Sequence, residues 1–210
     1  DYRFPEHLHD QTGYTVSTQF NTRYGWKNTT TNTNDVFNGL NPTAYTHDPL
    51  GIFSTVTYPD NTMHVNVWRW AQKHPHAPDD ALYYSWEQSS GQSELLVFYN
   101  NTGQVLRTSS RGFDGSWVYM DKHYNNKAQL WKESMPYFAN ESPLYTVYSY
   151  DAIGRIEEIT YPDGTTARKT YHANTMTTIN QGGQTSAQTY NAADWLIEST
   201  DDEGTKVEYD

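Results

Sequence analysis

Three shortages narrow the field before any motif is considered. The chain has no cysteine among its 210 residues, so it carries neither a disulfide framework nor a thiolate metal site. Bases are few: 14 Lys and Arg stand against 25 Asp and Glu, a net charge of −11. A field of that sign repels phosphate backbones and argues against nucleic acid as a partner. The excess is uneven, because residues 141–210 hold 12 acids and 4 bases, so 12 − 4 = 8 of the net negative charges lie in the last third. Long apolar runs are missing too. No stretch approaches the ~20 residues that cross a bilayer as a helix, and the opening "DYRFPEHLHD" does not have the layout of a signal peptide.

Aliphatic residues are also scarce, with 35% hydrophobic residues and a mean hydropathy of −0.89, thin for one thick core. What is present is aromatic: 18 Tyr, 7 Trp and 7 Phe. Chains that cannot fold are poor in such rings. Tyrosine and threonine, both abundant here, suit a pleated surface that is half buried. Composition therefore predicts a sheet-rich protein with much of its surface wet.

Turn signals recur about every ten residues after Tyr150: "DAIG" (151–154), "PDG" (162–164), "HAN" (172–174), "QGGQ" (181–184), "NAAD" (191–194) and "DDEG" (201–204). Runs such as "RIEEITY" and "TKVEY" lie between them, and their length and spacing predict an antiparallel meander. In the first signal, Asp151 is placed to accept a backbone hydrogen bond and Gly154 to take a positive φ. In "YPDG", Pro162 presets φ at the second turn position, Asp163 follows it, and Gly164 closes the turn. A Tyr just before a turn ends a strand, its ring covering a neighbour and its hydroxyl wet.

The pattern is older than its best copies. "HDPLGIFSTVTYPDNT" (47–62) aligns without gaps on "YDAIGRIEEITYPDGT" (150–165), setting Asp48, Gly51, Pro59 and Asp60 beside Asp151, Gly154, Pro162 and Asp163. Further starts are Tyr99-Asn100, with Gly103, then Tyr124-Asn125, Tyr190-Asn191 and Tyr209-Asp210, and the weaker Tyr171-His172. Starts at 99, 124, 150, 171, 190 and 209 are 25, 26, 21, 19 and 19 residues apart. A copy that opens at the last two residues leads us to expect a fragment of a longer protein.

These residues resemble the YD repeats of the RHS family, Tyr-Asp-x-x-Gly-Arg-Leu followed by strand residues and Pro-Asp-Gly. "YDAIGRI", which includes Arg155, and "YPDGT" match almost fully. The phrases "GFDG" (112–115), Tyr124-Asn125 and "PYF" (136–138) resemble the branch related to the B and C components of insecticidal toxin complexes. The resemblance covers roughly residues 42–210. Asp is replaced by Asn at 100, 125 and 191, Gly by Ala128 and Asp194, and Arg by Gln104, Gln129 and Trp195. Turn chemistry tolerates such exchanges better than catalysis does. The family's self-cleavage site lies downstream of its repeats and has no counterpart here, so no catalytic residue is carried over.

The resemblance implies an all-β fold in which tandem hairpins form a long, curved antiparallel sheet, part of a shell around a C-terminal toxin. Geometry allows it: at about ten residues per strand and turn the chain supplies roughly 20 strands, each ~4.8 Å from the next, and an open sheet beyond about 10 strands tends to curl or split. The expected organisation is a lead-in at 1–41, degenerate repeats at 42–140 and a regular meander at 141–210. The expected role is structural and not enzymatic, with no cofactor and no metal. Expected partners are the rest of the same chain and its toxin cargo, in a bacterial protein that is secreted or displayed at the cell surface. Exposed sheet edges also allow a strand-exchanged homodimer of the fragment. The alternative is an extracellular carbohydrate-binding or adhesin module.

Several local features suggest sites but also have plainer explanations. "HLHD" (His7, His9, Asp10) and "HPH" (His74, His76) place two imidazoles one residue apart, a spacing that on a strand shares a face and suits zinc or nickel. Neither has a third ligand at a defined spacing, and Pro75 interrupts the second, so loop histidines are expected. "VWRW" sets Trp68 and Trp70 on one strand face, where flat rings can stack on sugars. The plainer expectation is that they fill a shallow core, and the same holds for Trp117 and Trp195. "STDDEG" (199–204) lacks the ligand spacing of a calcium loop and is expected to be a solvated turn. Glu157 and Glu158 are adjacent and so face opposite sides of a strand. "SSG" (89–91) is not a nucleophile elbow. Asn28, Asn100 and Asn140 begin Asn-x-Ser/Thr triplets of little weight in a bacterial chain.

Overall fold

The computed structural model describes residues 4–49 and 51–209. Among the described residues it is all-β, with nineteen antiparallel sheet strands and one short helix. The chain divides into two compact units, Asp1–Tyr119 and Met120–Asp210.

In the first unit the strands are β1 (His7–His9), β2 (Thr15–Phe20), β3 (Lys27–Asn32), β4 (Thr43–His47), β5 (Phe53–Thr57), β6 (Met63–Trp70), β7 (Tyr83–Ser89), β8 (Leu95–Tyr99) and β9 (Val105–Arg111). Each pairs antiparallel with the next. The strand β10 (Trp117–Tyr124) begins in this unit and ends in the second. There follow β11 (Leu130–Ser134), β12 (Tyr137–Phe138), β13 (Tyr145–Tyr150), β14 (Ile156–Thr160), β15 (Thr166–His172), β16 (Thr175–Ile179), β17 (Thr185–Tyr190), β18 (Leu196–Thr200) and β19 (Lys206–Glu208). Here β11 pairs antiparallel with both β10 and β13, which leaves the two-residue β12 outside the up-and-down run, and from β13 to β19 each strand again pairs with its successor.

The helix α1 (Thr33–Phe37) lies in the lead-in, where the sequence pattern does not announce it. Asn32 ends β3 and caps α1: its side chain accepts from Asp35 N at 2.9 Å, and the Asp35 carboxylate in turn accepts from Asn32 N at 3.2 Å. This reciprocal box lets a Thr/Asn-rich run leave the sheet.

Strands that run up and down in order place successive turns on alternate edges. In the first unit one edge carries Phe20-Asn21, His47-Asp48 and Tyr99-Asn100, and the register shifts at the aromatic residue each time. The second unit repeats this at Tyr124-Asn125, Tyr150-Asp151 and Tyr190-Asn191. The cause is local. Each of Asn100, Asn125, Asp151 and Asn191 accepts through Oδ1 from the backbone N–H groups two and four residues on, at 2.9–3.1 Å. Four residues are thus folded into a tight loop, and the extra residue is absorbed as a bulge beside the aromatic ring. On the opposite edge the turns at Tyr58, Gly112 and Tyr161 hold their aspartate in third place. Asp60, Asp114 and Asp163 each accept from the backbone N–H two residues on at 2.9 Å, and the strands joined at Tyr58 and Tyr161 pair with no register shift. The aligned segments 47–62 and 150–165 therefore fold alike, with His47 opposite Phe53 and Tyr150 opposite Ile156.

Few side chains are fully buried. The apolar core is Ala71, Tyr84, Leu96 and Phe98, with Tyr119 also buried, all in the first unit. Elsewhere most strand residues are half-buried or exposed, as the thin hydrophobic composition predicts.

Candidate functional site

One connection carries a long loop that covers the sheet. Between β6 and β7, where a five-residue turn is due on the bulged edge, the chain instead makes the loop 71–82. Three small turns build it, closed by His74 N→Ala71 O at 2.9 Å, Ala77 N→His74 O at 3.1 Å and Ala81 N→Pro78 O at 3.0 Å. The loop folds over one face of β6–β9, and this is why a core exists there. Strand register sets Arg69, Tyr84 and Phe98 on that face, with Arg107 opposite Phe98. Phe98 is fully buried under the loop and Ala71 is 1% exposed.

His74 and His76 point toward this face. The His74 ring lies 4.6 Å from Tyr84 and 5.2 Å from Phe98, centroid to centroid, and the His76 ring lies 4.2 Å from Trp117. His76 Nδ1 is 2.7 Å from the Tyr119 hydroxyl, and the His76 backbone N–H donates to His74 Nδ1 at 3.3 Å. Arg107 donates to the His76 carbonyl at 3.2 Å and sits over the Tyr119 ring. Arg111 sits over Trp117 and pairs with Glu94 at 3.2 Å, while Glu94 also accepts from Trp86 Nε1 at 3.2 Å. Arg69, His76, Glu94 and Arg111 border a cleft of about 310 Å³. Burial holds His74 below the ordinary histidine range, against the opposing pull of Glu94. Burial also lowers His76, and the neighbouring His74 and Arg111 push the same way. The polar groups engage one another and the backbone, so the assembly fastens a loop to a sheet.

The two histidine pairs differ. His7 and His9 are not the loop histidines expected but lie on a strand and on one face, their rings 6.3 Å apart, and each binds a hydroxyl: His7 that of Ser17 at 3.0 Å, His9 that of Thr15 at 2.8 Å. Asp10 instead organises the next turn, accepting from Thr12 and Tyr14. His74 and His76 are on a loop, as expected. Among the described residues no group of three or more His, Asp or Glu is placed to hold a metal ion.

Trp68, Trp70 and Trp195 depart from the expected core-filling role. Trp68 and Trp70 share a face, but it is the one opposite the loop, and they are 44% and 73% exposed. Burial by the loop takes the other face. Trp70 faces Tyr83 across the ladder, Tyr83 faces Tyr99, and the Tyr83 and Tyr99 rings stack at 5.2 Å with Trp68 5.3 Å from Tyr99. Trp195 is 72% exposed at a turn, whereas Trp117 packs against the core.

The repeat residues occupy turns and strand ends. Positive φ occurs at Gly51, Gly103, Gly154 and Gly164. Arg155 Nε pairs with Asp151 at 2.7 Å and its guanidinium covers the Tyr171 ring, while the Tyr150 hydroxyl donates to the Leu130 carbonyl at 2.7 Å. Pro59 and Pro162 hold the second positions of their turns, and Tyr209 N–H donates to Ile197 O at 3.0 Å. Asp210 lies outside the described residues. In "STDDEG", Asp201 accepts from Glu203 and Thr205, and Asp202 accepts from Thr185 N at 2.7 Å, a turn held by hydrogen bonds. Glu158 pairs across the ladder with Arg168 at 2.6 Å, and Ser89 binds His64 Nδ1 at 2.9 Å. Sequence reasoning missed Tyr84, Glu94, Phe98, Arg107, Arg111 and Tyr119. Their alternation on strands places each on a face, but nothing in it announces the loop that gathers them.

Among solved structures, that of TcdB2-TccC3-TEV matches with a TM-score of 0.69 over 93% of this chain, at 14% identity. The structure of TcdB2-TccC3 matches with a TM-score of 0.65 over 93%, at 15% identity. This chain has the fold of those toxin-complex chains. The Photorhabdus luminescens Tc holotoxin pore also matches, at 0.54 over 95% of the chain and 17% identity. The toxin-complex fold agrees with the RHS-type resemblance of the repeats. The chain spans 16%, 13% and 11% of the lengths of these three neighbours. No protein-family model matches the sequence, and no curated protein does.

Proposed function

We propose that this chain is a structural segment of a bacterial RHS-type toxin or toxin-complex protein, contributing wall strands to a shell around a C-terminal toxin. Its partners are the remainder of the same chain and that cargo, and it works outside the cell that makes it, after secretion or surface delivery. It performs no catalysis. Its residues build hairpins, and the wall keeps host proteases from the cargo. The observation that carries this reading is the likeness of fold to TcdB2-TccC3 over 93% of the chain. The Asx turns support it, since their polar atoms are engaged by backbone groups. The test is limited proteolysis of the full-length protein that contains this segment, with its C-terminal region expressed alone as reference. Enclosure predicts a C-terminal region that survives in the full-length protein and is digested when free. Equal digestion rates would overturn it.

A second reading, a carbohydrate-binding or adhesin module, is favoured by the exposed rings of Trp68 and Trp70 beside the stacked Tyr83 and Tyr99. Binding on a glycan array that is lost in Trp68→Ala and Trp70→Ala would move the assignment to it.

A further inference from the structure

We propose that the loop 71–82 is a pH-sensitive strap, fastened over the β6–β9 face by neutral His74 and His76 and released when they take up protons. This is independent of the shell reading. The first observation is a hydrogen bond whose direction is not negotiable. The His76 backbone N–H can only donate, so His74 Nδ1, 3.3 Å away, must accept and therefore carries no proton. Protonating that nitrogen turns an acceptor into a donor aimed at another donor.

The second observation is the surroundings. His74 packs on Phe98, which has no exposure to water, and on Tyr84, with ring tilts of 58° and 51°. Cation–π attraction needs a charge over a ring face, and tilted contacts offer little of it. His76 packs on Trp117 and Tyr119, whose rings already carry the guanidiniums of Arg111, at 4.2 Å, and Arg107, at 4.6 Å. An imidazolium there sits between two fixed cations.

The charged groups of the elements around the strap do not reverse this. Arg69 on β6 borders the same cleft and adds positive charge. Glu94, before β8, attracts a proton to either histidine, but it is bonded to Arg111 and Trp86. Tyr84 on β7 and Tyr119 on β10 present aromatic rings to the two histidines. On the loop itself, Lys73 and Asp79 line a second cavity, which His74 also borders, with Asp80 next in sequence. Burial accordingly lowers both histidines. The sign follows. A histidine held below its unfolded value stabilises the fastened state above about pH 6.5, and that stabilisation is lost as pH falls through 6.5 toward the depressed values.

The experiment is amide hydrogen exchange of the purified chain between pH 7.5 and 5.0, normalised to intrinsic rates. We expect exchange in 71–82 to accelerate about tenfold for each unit by which a histidine is depressed, with β13–β19 unchanged. His64→Gln, which alters a histidine away from the strap, leaves the acceleration intact. The His74→Phe/His76→Phe double variant keeps the rings and abolishes it. Should that variant not fold, the imidazole resonances of the unaltered chain decide: both titrate below the ordinary value, together with shifts of the Tyr84 and Trp117 rings. Constant protection of 71–82 across the range, pH dependence that survives the double substitution, or histidines that titrate at or above the ordinary value would each overturn the proposal.

Discussion

Replacing Ala128 by glycine should stabilise the protein, although it removes a methyl group and adds nothing. Ala128 occupies the fourth place of the turn begun by Asn125, with φ 61°, where the equivalent Gly103 and Gly154 have φ 82° and 93°. An L-residue held in the left-handed region costs about 1–2 kcal/mol. Glycine relieves that cost but returns about 0.4–1 kcal/mol through the freedom of the unfolded chain. The net expectation for Ala128→Gly is a gain of about 0.5–1 kcal/mol, or roughly 1–4 °C in Tm for a chain of this size. Asp194→Gly, at φ 58°, should gain less, because aspartate tolerates this conformation better. The reverse change calibrates the scale. At Gly103 an added Cβ meets its nearest atom, the Tyr83 hydroxyl, at 3.6 Å, an ordinary contact, so Gly103→Ala should cost about 1 kcal/mol from backbone alone. At Gly154 it would press on Gln129 Nε2 at 3.0 Å, so Gly154→Ala should cost more. Urea unfolding followed by tryptophan fluorescence, Trp131 and Trp195 reporting on the second unit, reads each midpoint. A lower midpoint for Ala128→Gly, or a higher one for Gly103→Ala, would refute the reasoning.

Asn125→Asp should lie within about 0.5 kcal/mol of the parent because Oδ1 still accepts from Lys127 and Gln129, whereas Asn125→Ala should lose about 1–2 kcal/mol; urea midpoints compare them. Ser109 is fully buried with no partner for its hydroxyl, so Ser109→Ala should be neutral or stabilising by about 1 kcal/mol. Ser134→Ala should destabilise by about 1–3 kcal/mol, because it leaves the buried Asp121 N–H without the Oγ it binds at 2.8 Å, and thermal melts should separate the two serines. Acid should unfold the chain below the range in which the strap opens. Hydroxyl hydrogen bonds from Thr62 and Thr165 hold Asp60 and Asp163 below the usual carboxylate range, and the Arg155 backbone N–H does the same for Asp151. Carboxylates lowered in the fold stabilise it above about pH 4 and cease to do so as pH falls through their folded values. Circular dichroism should therefore decline below pH 4, and less so in Asp163→Asn.

The hairpins were legible because their turns need particular atoms at particular places. An Oδ1 that accepts two backbone N–H groups is the same in Asp151 and Asn191, so the repeat can be traced through its substitutions. Strand alternation likewise put Trp68 and Trp70 on one face. What alternation does not carry is which face will be covered, and here a loop outside the repeat decides that. The core follows the loop, so Trp68 and Trp70 are left in water and Tyr84 and Phe98 are taken out of it. The lead-in was opaque for a related reason. Thr and Asn serve strand, cap and turn alike, and only the Asn32–Asp35 pairing separates β3 from α1.

The placement of every bulged turn on a single edge within each unit bears on how such a chain can grow. One repeat is two strands, an outward leg and a return, so a duplicated copy brings the polypeptide back to the edge from which it left. All later turns keep their sides, and a gene can gain or lose whole units without disturbing its neighbours. An odd strand would exchange the two edges for everything that follows. Evolution can count here only in pairs.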